Sequence, residues 1–329
     1  HMFRGLIYGS YKAPRELVWV FGMTIYLVLM AEAFLGYVLP WGQMSYWGAQ
    51  VIISLFGAIP VVGDDLVQWI RGDYLLSGIT LNRFMSLHVV ALPIVLIALV
   101  AMHIIALHDV GSNNPDGVSI KNHFDEKGNP VDGLPFFPYF VIHDLAPIVV
   151  FMFVFCSILF FMPEMGGYFL EHANFEIANS LKTPEHIAPV WYFTPFYSML
   201  RAVPDKLGGL IVMAAAVAIL FVLPWLDRSP ARSIRYKGII SRISILIFPA
   251  SFIILGYLGI KAPTPERTIL AQICTILYFG FFIGMFFWTK YEKTKTEPDR
   301  ITMDGGLGFW RTTGAVFAIV LMVVVPIKV

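Results

Sequence analysis

The apolar residues of this 329-residue chain gather into runs long enough to cross a bilayer. Six stand out, at about 17–39, 84–107, 137–162, 207–226, 241–259 and 269–288, and a weaker one follows at 312–327. About 20 apolar residues span the hydrocarbon layer as a helix. Lipid offers no partner to a backbone N–H or C=O, so the runs predict helices and not strands. The stretch between the first two runs, 40–82, breaks the pattern. It mixes polar with apolar positions and holds Trp41, Tyr46, Trp47 and Trp69, which predicts short helices at the headgroup level. The predicted fold class is all-α: a polytopic transmembrane helical bundle with interfacial amphipathic helices in its outer loops.

Composition strengthens this picture. Hydrophobic residues make up 57% and charged residues 14%, with a mean hydropathy of +0.72, too apolar for a chain that must cover its surface in water. The net charge of +1 says nothing about nucleic acid, and with no Lys/Arg-rich patch of binding size none is expected as a partner. Cys156 and Cys274 sit inside apolar runs and read as small buried hydrophobes.

Charge also orients the bundle. Arg228, Arg232, Arg235, Lys237 and Arg242 crowd one loop with the single acid Asp227. Four spans separate that loop from Arg4, Lys12 and Arg15, so both basic segments belong on one side, the cytoplasmic one. The opposite side receives Asp64, Asp65 and Asp73, and then Glu164, Glu171, Glu176 and Glu185.

Chemistry enters with the second run. A histidine within a membrane helix is costly and marks function more often than packing, although a single one could be a hydrogen-bonded packing residue. His88 and His103 are two, fifteen apart. They stand about 22 Å apart along a helix and about 60° out of line, an offset that a kink at Pro93 could absorb. Such a pair suits two cofactors stacked across the membrane, each taking one imidazole. Gly22 and Gly36, fourteen apart in the first run, serve either close helix packing or, matched to the histidines, as flat notches for two planar cofactors. The chain opens His1-Met2, which fits a tag remnant as well as a functional histidine.

Three strings are more specific. Gly36-Tyr37-Val38-Leu39-Pro40-Trp41-Gly42-Gln43-Met44-Ser45, His108 through Gly111-Ser112-Asn113-Asn114-Pro115, and Arg201 through Pro204-Asp205-Lys206-Leu207-Gly208-Gly209 resemble cytochrome b of the respiratory quinol–cytochrome c reductases. The resemblance runs from residue 1 to about 300. It implies two b-type hemes, quinone or quinol sites near opposite membrane faces, and a place in the bacterial inner membrane. The implied partners are a Rieske iron–sulfur protein, a c-type cytochrome, a second copy of the chain and membrane lipid.

By that resemblance His88 is an axial ligand of the low-potential outer heme and His103 of the high-potential inner one. Arg4-Gly5-Leu6-Ile7-Tyr8-Gly9-Ser10-Tyr11 matches a family string that closely follows a heme histidine, so His1 resembles the inner heme's second ligand. Arg4 and Arg83 are expected to contact the cofactors. Two family helices, carrying the outer heme's other histidine, are expected ahead of His1. A chain continuous through the third and fourth spans argues against the photosynthetic relative, whose gene is split there. The expected organisation is a heme-binding part over 1–110, a quinone-site part over 111–300 and a tail over 301–329.

The resemblance also assigns the substrate sites. His108, Ser112 and Asp144 match the inner quinone site, where a histidine and a carboxylate can relay protons. Tyr37, Tyr192 and Tyr197 match positions lining the outer quinol site. The family's Pro-Glu-Trp-Tyr is here Pro189-Val190-Trp191-Tyr192, and valine cannot titrate. Glu32, mid-span and one turn before Gly36, is the expected replacement as proton acceptor, with Glu185 second. Histidine spacing of fifteen, against the fourteen of mitochondrial members, points to a bacterial source. The competing functions are a transporter with a histidine proton relay and a scaffold whose activity lies in its partners.

Overall fold

The structure, a computed structural model, describes residues 1–165 and 171–302. The weak run at 312–327 lies outside the described residues.

Helices account for every predicted run within them. After the short α1 (Met2–Tyr8) come α2 (Glu16–Val38), the interfacial α3 (Gln43–Leu55) and α4 (Gly63–Arg71), then α5 (Gly78–Ser86) and α6 (Leu92–Val110). A π turn, Leu87–Ala91, welds α5 and α6 into one 33-residue span. Beyond α7 (Val141–Phe161) lie the short α8 (Thr194–Ala202), then α9 (Lys206–Phe221), α10 (Leu223–Leu226), α11 (Ile239–Ile260) and α12 (Pro265–Tyr291). Five of these helical segments are long and apolar enough to cross a membrane.

The predicted span at 207–226 needs correction. It divides at Val222, leaving α9 with 16 residues. The break lies two residues before Pro224, which cannot donate to the carbonyl of Leu220. The Trp19 indole N–H takes that place, donating to the Leu220 carbonyl at 2.8 Å.

Between helices in lipid, dispersion and hydrogen bonds hold the interface, because lipid tails are as apolar as the side chains. The main core follows that logic. Met199, Leu255, Tyr278 and Phe282 are buried where α8, α9, α11 and α12 meet. Tyr278 Oη donates to the Ala216 carbonyl at 2.7 Å. Gly259 lets α11 close on α8, since a Cβ there would strike the Thr194 carbonyl. A second cluster joins Leu35 and Val38 of α2 to Tyr46, Ile53 and Phe84 beneath the interfacial helices. By contrast, no residue of α7 is buried.

The two ends of the bundle differ in charge, as the sequence predicts. At the basic end, called inner here, the N-terminal segment docks on the loops after α6 and α10. Arg15 donates to the carbonyls of Gly111 (3.1 Å) and Ser112 (3.2 Å), and the Asn113 amide to the Tyr8 carbonyl and Ser10 Oγ, each at 3.0 Å. Asp227 lies buried among Tyr11, Lys12 and Lys237. At the acidic, outer end, the Gln43 N–H donates to the Glu176 carbonyl and the Ala178 N–H to the Trp41 carbonyl, each at 3.0 Å. Ser45 and Asn174 add a side-chain pair. Thus the loop after α2 and the loop before α8 form one layer.

Candidate functional site

The expected cofactor residues meet on the α2–α6 interface. A Cβ on Gly22 would sit 3.2 Å from His103 Cε1, and a Cβ on Gly36 would collide with the His88 imidazole. Each glycine therefore faces one histidine, in the order the spacing predicts.

A spacing of fifteen matches one of fourteen because of the π turn. Pro93 has no N–H for the Val89 carbonyl, and the Leu92 N–H reaches back five residues to the Leu87 carbonyl. Such a turn takes up one extra residue, about 100° of helical advance. His88 and His103 consequently stand in register with two glycines fourteen apart. The adjustment expected at Pro93 takes the form of a π turn just ahead of it.

His1 precedes α1, and its ring centre lies 6.1 Å from that of His103, with the planes inclined at 66°. Two imidazoles bonded at about 2 Å to one metal ion between them have ring centres about 6 Å apart. The pair therefore has the spacing that two imidazoles holding one metal ion between them would have. Among the described residues no cluster of three or more His, Cys, Asp or Glu could hold a metal. A bis-imidazole heme needs no such cluster. His103 Nδ1 is buried and has no hydrogen-bond partner.

His88 is held differently. Its Nδ1 lies 3.0 Å from the Glu32 carbonyl oxygen and 3.0 Å from Glu32 Oε1. The side chain expected to accept protons on the helix face toward the outer heme thus meets His88, while Glu32 Oε2 is buried without a partner. Arg83 donates through Nη1 to the Trp69 carbonyl and so ties α5 to α4. Arg4, on α1, is exposed.

The expected substrate residues lie at the two ends. At the outer one, Tyr37 Oη donates to Glu171 Oε2 at 3.4 Å. Tyr192 is half-buried between Trp191 and Phe193, and burial raises its phenol above the usual range. The Arg201 guanidinium covers the Tyr197 ring at 4.5 Å and donates to the Leu258 and Lys261 carbonyls at the end of α11. Glu185 is exposed. Sequence reasoning counted Glu171 only as one acid of the outer loop and missed its link to Tyr37. At the inner end His108 and Ser112 are exposed on and just after α6. Asp144, on α7, is 67% exposed, with Oδ1 3.8 Å from His143 Nδ1. Among the described residues no hydrogen bond joins Asp144 to His108.

Comparison with known proteins points the same way. Residues 1–195 match the family model described as cytochrome b (N-terminal)/b6/petB, and residues 177–279 match cytochrome b (C-terminal)/b6/petD. The chain is 56% identical over 311 residues to a protein named cytochrome b from Allochromatium vinosum, covering 92% of this chain and 75% of the relative. Cytochrome b of Rhodospirillum rubrum is 48% identical, with 92% and 72% covered. A solved structure titled hyperthermophilic respiratory Complex III superposes with a TM-score of 0.80 at 38% identity, over 88% of this chain and 75% of that one.

Proposed function

The chain belongs to the cytochrome b family, as a multi-pass membrane protein that carries electrons through b-type heme, and from that premise we propose a two-heme subunit of a quinol–cytochrome c oxidoreductase. It oxidises quinol near the outer end of the bundle and reduces quinone near the inner end, so that electron transfer drives proton translocation. The observation that carries this reading is the register of two histidines with two glycines at opposite ends of one helix pair. Bound heme supplies one-electron transfer. The residues that would hold it are His1 and His103 at the inner site and His88 at the outer, with Gly22 and Gly36 keeping the α2 backbone close.

At the outer end Tyr37, Tyr192 and Tyr197 line the quinol site. Val190 cannot accept a proton, whereas the carboxylate of Glu171 already accepts a hydrogen bond from Tyr37. At the inner end His108, Ser112 and Asp144 serve quinone. The partners are a Rieske iron–sulfur protein, a c-type cytochrome subunit, a second copy of the chain and lipid, in the cytoplasmic membrane of a bacterium. A reduced-minus-oxidised spectrum of the intact complex tests the reading. Two b-type components, both reduced by quinol, are expected, and a complex without b-type bands would overturn it.

Two variants probe the sites separately. Gly36→Ala places a methyl group against the His88 ring and is expected to remove most of the outer b-type signal. Gly22→Ala, with room for a small adjustment, should do less to the inner one; equal heme content in both variants would refute the pairing. Asp144→Asn removes a carboxylate that can carry a proton to quinone. Oxidation of the inner heme by quinone should slow by 10²-fold or more, roughly the range of general acid–base catalysis, with quinol oxidation unchanged. Equal slowing of both half-reactions would give Asp144 a structural role.

A further inference from the structure

His88, in the π turn, and His103, on α6, differ at Nδ1. His103 Nδ1 has no hydrogen-bond partner. His88 Nδ1 has two acceptors on α2, the carbonyl and the carboxylate of the same residue, Glu32, each at 3.0 Å. A histidine that binds a metal through Nε2 carries its proton on Nδ1 and donates it outward. A carboxylate accepting that proton strengthens the ligand's donation to the metal, and its negative charge favours the more positive, oxidised metal. Glu32 Oε2 has no partner of its own, so within the described residues no cation neutralises this carboxylate.

We propose that Glu32 is a positioning residue for the outer heme, accepting the His88 Nδ1 proton and thereby lowering that heme's midpoint potential relative to the inner one. The inference rests on the two-heme reading given above. It accounts for a carboxylate inside a span, where an ionisable group is expensive and usually functional. It also assigns part of the potential difference between the two hemes to one side chain, present at His88 and lacking at His103.

The backbone makes the idea testable. Once the side chain is removed, the carbonyl of residue 32 still accepts the Nδ1 proton, so the ring keeps an anchor and heme can stay bound. Redox titration of both b-type components, at one pH, would be done on the intact complex with Glu32, Glu32→Gln and Glu32→Ala. The expected result is a higher outer midpoint in both variants, with the inner midpoint unmoved. An unchanged outer midpoint in either variant, or an equal rise at both hemes, would overturn the assignment. Loss of the outer heme in both variants would also overturn it, because Glu32 would then hold the ring and not tune it. If the unsubstituted complex shows no pair of b-type components, the two-heme reading itself fails, and that is seen before any variant is made.

Discussion

Replacing His103 with leucine is expected to remove the inner heme and leave the outer one in place. Leucine resembles histidine in bulk but has no lone pair for a metal. The α2–α6 packing at Gly22 should therefore survive while one of the two imidazoles proposed to hold the inner heme disappears. His1 alone, whose ring centre now faces His103 at 6.1 Å, would be left to bind iron from one side. The proposed outer site, at His88, stands about 22 Å along the helix, so its spectrum and midpoint should not move. The whole inner b-type component is expected to be lost, and with it electron delivery to the inner quinone site, while quinol still reduces the outer heme. Redox titration of His103→Leu membranes checks this. Both components persisting at unchanged midpoints would show that His103 is not a ligand.

Asp227→Asn is expected to destabilise the inner end of the bundle by about 3–5 kcal/mol, the usual consequence of removing one partner from a buried ion pair. The Asp227 side chain is wholly buried, and Lys237 and Lys12 are 5% and 12% exposed. Tyr11 Oη also donates to its carboxylate at 2.6 Å. An asparagine keeps the shape but leaves two ammonium groups facing a neutral amide. Burial pushes the Asp227 carboxyl up, but the Lys237 and Lys12 charges outweigh it and hold it below the usual carboxylate range. Burial and the same carboxylate drive the Tyr11 phenol well above its ordinary value.

A folded-state pKa below the unfolded one means that this stabilisation is complete above the unfolded value, about 3.9, and disappears as pH falls through the folded value. Thermal unfolding of the detergent-solubilised complex should accordingly weaken at acid pH in the parent chain and lose part of that dependence in Asp227→Asn. Equal melting temperatures for the two proteins at neutral pH would show that the cluster contributes nothing. Because Tyr11 and Lys12 follow α1 directly, the same loss should loosen the segment that presents His1 to His103.

By itself the sequence determined the long spans other than 207–226, the interfacial helices, the shared side of the two basic segments, and the pairing of His88 and His103 with Gly36 and Gly22. These features were legible because the membrane leaves few choices. Lipid forces long apolar runs into helices, charge sorts the loops, and a helix of known pitch turns spacing into position. Only the tertiary structure decided what depends on two distant segments meeting. The Leu220 carbonyl left by Pro224 is taken by Trp19, 201 residues away, and Tyr37 reaches Glu171 across 134 residues. No local pattern announces such encounters. The π turn at Leu87–Ala91 is local, yet it became visible only with the backbone in view, because a missing proline N–H can produce a kink, a break or a π turn. Glu32 shows the difference most clearly. Its place in a span marked it as functional, and its one-turn spacing from Gly36 turned it toward the expected outer heme, but neither feature named the atom it would meet. What it meets is His88, 56 residues away, because α6 packs on α2 with the histidine ring beside Gly36. The partner of a buried carboxylate is set by helix packing, and packing is a property of the folded chain.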